Sequence, residues 1–87
     1  AHEHAYERFL PLNTSGAPAV DGMPLFISGL GGAPATPIGD AVPGSAFRSN
    51  TNHGVLSLTL TPRSFSWGFI SALDNSTIDT GTASCAP

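Results

Sequence analysis

The residues best suited to chemistry stand at the start of the chain, in the run His2-Glu3-His4-Ala5-Tyr6-Glu7-Arg8-Phe9. On an extended strand, residues two apart project from the same face, so the His2 and His4 imidazoles originate roughly 7 Å apart on one side. Neutral imidazole is a common ligand for transition metals, and the pair reads as half of a metal site. A stable catalytic centre needs at least three protein ligands, and two histidines do not supply them. His53 is the remaining histidine and a candidate third ligand for a small mononuclear site, although its place before Gly54 also suits a turn. The other chemistry-bearing residues are dispersed. Cys85 is the single cysteine, and no nucleophile-elbow arrangement of the Ser/His/Asp kind is present.

The elements that must position these groups read as strands separated by long loops. Residues 5–9 form a short strand directly after the histidine pair. Leu25 to Ser28 is a nearly continuous apolar run, the pattern of a strand covered on both faces. Leu56, Leu58 and Leu60 alternate with Ser57, Thr59 and Thr61, and Phe65, Trp67 and Phe69 alternate with Ser64, Ser66 and Gly68. Two period-two runs joined by Thr61-Pro62-Arg63-Ser64, with proline at the favoured second turn position, predict a β-hairpin whose core holds Trp67 and the phenylalanines. A last short strand is expected near Ser76–Asp79. Residues 10–22 and 29–53 are rich in Gly, Pro, Ala and Ser and read as loops, the second longer than an ordinary connection. No segment has a helical period. The expected fold class is mainly β, with antiparallel strands, long Gly/Pro loops and no helix, in one unit over residues 1–87.

Composition narrows the partners. Charged residues are 10% of the chain, against a typical value near 25%. There is no lysine, and the formal charge is −3 with three arginines, Arg8, Arg48 and Arg63, spread along the sequence. Without a basic cluster, neither nucleic acid nor an anionic membrane surface is an expected partner. No apolar run reaches the ~18 residues of a spanning helix, and no secretory leader opens the chain. A chain of this length buries only about 60–65% of its unfolded surface. With one cysteine and an incomplete metal site as staples, independent folding is expected to be marginal.

The run Ala1-His2-Glu3-His4-Ala5-Tyr6-Glu7-Arg8 resembles the last signature of the purple acid phosphatase-like, calcineurin-like metallophosphoesterases, a Gly-His-x-His followed by Ala-Tyr-Glu-Arg. Downstream, Met23-Pro24-Leu25-Phe26-Ile27-Ser28-Gly29-Leu30-Gly31-Gly32 is similar to that family's buried strand and glycine loop. Ser45-Ala46-Phe47-Arg48 with His53-Gly54-Val55-Leu56, and then Phe65-Ser66-Trp67, resemble its next segments in order and spacing over residues 1–71. The ending Thr80-Gly81-Thr82-Ala83-Ser84-Cys85 is similar to secreted bacterial members.

The resemblance implies that the chain is the C-terminal part of an α/β metallophosphoesterase sandwich whose N-terminal part is missing. That domain hydrolyses phosphate monoesters at a binuclear centre of iron with zinc, manganese or a second iron. His2 is then a ligand at the divalent position and His4 at the iron-type position, and the chain alone is inactive. The family's Asp, Asn and further His ligands precede the Gly-His-x-His. The Gly39-Asp40 dipeptide follows it and is out of order for a ligand, and Ala1 stands where the family has glycine. Tyr6, Glu7 and Arg8 are expected to support the ligand strand rather than act on substrate, while Gly31, Gly32 and Arg48 are placed to shape the active-site mouth. The likeness to secreted enzymes implies an extracytoplasmic protein and favours a disulfide from Cys85 to an absent segment. Asn13-Thr14-Ser15 and Asn75-Ser76-Thr77 match the glycosylation acceptor pattern. Two readings of other classes stand beside this one: a non-catalytic β-rich interaction or structural module, and a mononuclear metal binder using His2, His4 and His53.

Overall fold

The computed structural model describes residues 2–85. Its regular elements are six strands, β1 (Tyr6–Phe9), β2 (Phe26–Ser28), β3 (Ser45–Ser49), β4 (Gly54–Leu60), β5 (Ser64–Ser71) and β6 (Thr77–Ser84), with no helix among the described residues. They form two three-stranded antiparallel sheets in the orders β2-β1-β3 and β4-β5-β6. The mainly β, antiparallel class expected from the alternation is the one observed.

Register explains which side chains meet. In the first sheet Arg8 lies opposite both Phe26 and Phe47, and Tyr6 opposite both Ser28 and Ser49, so Tyr6, Arg8, Phe26 and Phe47 share one face. In the second sheet Leu56, Leu58 and Leu60 pair with Phe69, Trp67 and Phe65, which pair in turn with Asp79, Gly81 and Ala83. The two faces meet through aromatic contacts. The Tyr6 ring stacks on Phe69 with centroids 4.1 Å apart, and Phe26 meets Trp67 edge-on at 5.4 Å. Tyr6, Leu30 and Phe69 are fully buried, with Phe26, Phe47, Leu56 and Ile78 packed around them. Such offset and edge-to-face pairs add to simple area burial because the ring quadrupoles are complementary.

The predicted hairpin is β4–β5, closed by a hydrogen bond of 2.9 Å from Thr61 N to the Ser64 carbonyl. Two expectations need correction. The segment 29–53 is not one long loop, because Ser45–Ser49 forms β3 on the flank of β1. The last strand runs Thr77–Ser84, well past Asp79, with a bulge opposite Phe69 and Ile70. A glycine is required within it: the Trp67 ring lies over Gly81 so closely that any Cβ would collide with it. The β5–β6 turn is completed by Asn75, a non-glycine residue at φ 62°, a conformation asparagine tolerates better than most residues.

Candidate metal-ligand strand and its anchor

The strand that follows the histidine pair, β1, is tied into the second sheet by polar contacts. The Tyr6 hydroxyl donates to Asp79 Oδ2 at 2.7 Å. Arg8 donates through Nε to the same oxygen at 2.7 Å and through Nη2 to Oδ1 at 3.1 Å. This two-pronged guanidinium–carboxylate geometry is the stronger form of ion pair. Arg8 also lies over the Trp67 ring, 5.4 Å from its centroid, a cation–π distance. Alternation along β1 turns Tyr6 and Arg8 inward, while β6 brings Asp79 beneath both. One carboxylate thus holds two residues of the strand immediately after the histidines.

The electrostatics follow from this packing. Burial works to raise the Asp79 carboxyl, but the hydrogen bonds from Arg8 and Tyr6 and the Arg8 charge together outweigh it, leaving Asp79 below the usual carboxylate value. The Trp67 indole N–H adds a smaller lowering, although no acceptor lies within its hydrogen-bonding geometry. Burial first, and then the hydrogen bond to Asp79 and its charge, push the Tyr6 phenol well above its ordinary range. The hydrogen bond to Asp79 raises Arg8 further. The cluster is therefore a neutral phenol, a carboxylate and a guanidinium near neutral pH.

The histidines precede this anchored strand rather than lying on it. A bend at Glu3 stands between them, where the sequence suggested one extended strand with both imidazoles on a common face. His4 is half-buried and its Nδ1 lies 2.9 Å from the Pro34 carbonyl. A carbonyl oxygen only accepts, so Nδ1 carries the proton in neutral His4 and Nε2 keeps a free lone pair. The His4 carbonyl accepts from Thr36 N at 3.1 Å, and Asn50 Nδ2 donates to the Thr36 carbonyl at 3.0 Å. His53 Nε2 lies 2.8 Å from the Ala33 carbonyl. Two histidines, one just before β1 and one just before β4, thus grip consecutive carbonyls of the β2–β3 connection. Gly31 and Gly32, just before that grip, are exposed.

His2 is exposed. Among the described residues, no three His, Cys, Asp or Glu side chains gather closely enough to hold a metal ion. The trio His2, His4 and His53 is therefore not assembled as a site. Imidazole suits the metals the resemblance implies, but the number of ligands does not suffice: a complete centre does not fit within residues 2–85.

Arg48 is directed elsewhere, with its Nη2 donating to the Gly39 carbonyl on the outer face of the first sheet. There it lines a hollow of about 170 Å³ with Glu3, Glu7, Ile27 and Ile38. Asp40 likewise joins no metal-holding group among the described residues. Cys85 is exposed and unpaired among the described residues. Asn13 closes its own turn, its Oδ1 accepting from the Ser15 and Ala17 amides, whereas the Asn75 main chain forms the β5–β6 turn.

Asp79 was not singled out from the sequence. The one signal available is a lone acid in a strand otherwise of Thr, Ile, Gly, Ala and Ser, and the bulge beside it hides which face it takes. Comparison with family models, with curated proteins and with solved structures finds no match to this chain.

Proposed function

We propose that the chain is the C-terminal portion of an exported, binuclear-metal phosphatase domain acting on phosphate monoesters, to which it contributes His2 and His4 as ligands. The observation that carries this reading is the orientation of His4. A metal-ligating histidine typically donates its other ring N–H to a carbonyl or carboxylate, which fixes its tautomer and aims its lone pair. The His4 contact with Pro34 has that form, just before a strand fixed by Tyr6, Arg8 and Asp79.

The remaining ligands must come from polypeptide outside residues 2–85, and no catalytic step belongs to this portion alone. Its contribution is to orient one imidazole, to hold the adjoining strand with a charged clamp, and to place the exposed His2 on the solvent side. The thin core supports the same reading. Among the described residues four apolar ones are buried, Ala5, Tyr6, Leu30 and Phe69, the last three completely, while Val20, Met23 and Leu73 remain mostly exposed. The same exposure favours the second reading, a β-rich module that docks on another chain.

The test is the sequence of the gene upstream of the Ala1 codon. The proposal expects an in-frame stretch bearing Gly-Asp and Gly-Asn-His motifs and an export signal. A reading frame without further Asp, Asn and His ligand motifs would contradict it.

A further inference from the structure

The free edge of β4 points to a second copy of this chain, and we propose that the protein pairs with itself there by antiparallel strand addition about Leu58. The inference does not rest on the phosphatase reading. It begins from main-chain geometry: in an antiparallel pair, alternate residues direct both N–H and C=O to the same neighbour, and those between direct them away. The bonds from Thr61 N to the Ser64 carbonyl and from Ala72 N to the His53 carbonyl show that the odd-numbered residues of β4 face β5. Gly54, Leu56, Leu58 and Leu60 therefore turn theirs to the open edge. Gly54 N is already bonded to the Leu30 carbonyl at 2.9 Å, which leaves Leu56 to Leu60 as the unpaired stretch.

That stretch lacks the devices that keep edges apart. Natural edge strands are blunted by lysine, proline, bulges or inward charges. The sequence Gly54-Val55-Leu56-Ser57-Leu58-Thr59-Leu60 has none of these, and its pairing with β5 is regular. Leu58 is 50% exposed and Leu60 75% exposed, both on the face that carries half-buried Leu56 and buried Phe69.

Three conditions select the register. Outward-facing residues must meet outward-facing residues, so the two-fold centre falls on a residue rather than between two. Apolar must meet apolar, which the same parity secures. The partner must also clear the Leu30 segment, which excludes a centre at Ser57, because that would set Leu60 of the second copy against Gly54. Centring at Leu58 pairs Leu58 with itself, Leu56 with Leu60 and Ser57 with Thr59. The leucines of both copies then form one row over the inner face, the hydroxyls form another outside, and the two sheets become one of six strands. No charge lies opposite a like charge despite the −3 carried by each copy.

Size-exclusion chromatography with light scattering, run over a wide concentration range on the full reading frame that encodes this chain, tests this. A concentration-dependent dimer is expected. Leu58→Lys sets two ammonium groups against each other at the centre and should weaken the dimer by roughly tenfold or more. Leu58→Pro removes an N–H that faces the open edge rather than β5, so it should abolish the dimer with the hairpin intact. Circular dichroism and the urea midpoint report whether each variant keeps its fold. A wild-type chain that stays monomeric, a dimer indifferent to both folded variants, or association that continues past the dimer into open-ended assemblies would each overturn the proposal.

Discussion

At the scale of single residues, Asp79 has the largest consequences, because one carboxylate accepts from both Tyr6 and Arg8. Replacing it with asparagine leaves the guanidinium without its counter-charge and should cost about 2 kcal/mol, read as a lower urea midpoint. The pH dependence has a definite sign. Asp79 titrates below its unfolded value, so its contribution is complete above about pH 4 and is lost as the pH falls through the folded value. Asp79→Asn should remove this acid-side loss from a stability–pH profile. Tyr6 is shifted upward, so its contribution is complete below about pH 10 and is lost as the pH rises beyond that. Tyr6→Phe should remove this alkaline loss at a cost of about 1 kcal/mol near neutrality. That Tyr6 and Arg8 stand on a strand after the histidine pair was legible in the sequence. Their partner was not, since Asp79 lies more than 70 residues away along the chain and its facing depends on a bulge.

At the scale of elements, legibility followed the alternation. Leu56-Leu58-Leu60 and Phe65-Trp67-Phe69 each put three large apolar groups on one face, and the proline-bearing turn joined them, so β4 and β5 could be read directly. In β3, by contrast, Phe47 alone turns an apolar ring inward while Arg48 leaves on the other face, which gives no period to detect. In β6 the inward position Gly81 is a glycine because the Trp67 ring fills the space above it, and Ala83, opposite Phe65, is also small. Small residues mark a strand covered by large neighbours, and composition alone assigns them to a loop. Gly81→Ala should therefore displace the Trp67 ring, shift its fluorescence and cost about 1–3 kcal/mol, an outcome that equal stability and an unchanged spectrum would contradict.

At the scale of the whole molecule, the two sheets enclose few fully covered apolar residues while several large ones stay exposed. A hollow of about 710 Å³ opens between the 20–24 loop and the end of the second sheet, lined by Val20, Met23, Pro24 and Phe65. A chain with so little enclosed surface has a narrow margin over its ordering entropy. Additional polypeptide, or a second copy at β4, would enlarge that margin. The sequence reading placed a strand directly after the histidine pair and a hairpin further on, but the clamp that joins the two sheets is a property of the assembled fold.

The most direct test of the phosphatase proposal is made on the full reading frame that encodes this chain, comparing wild type with His4→Ala for bound metal and for hydrolysis of p-nitrophenyl phosphate. The proposal predicts hydrolysis by the metal-loaded wild type, and in the variant a fall in kcat/KM of at least roughly a hundredfold with loss of bound metal. Unchanged metal content and unchanged hydrolysis in His4→Ala, or no hydrolysis by the metal-loaded wild type, would contradict it.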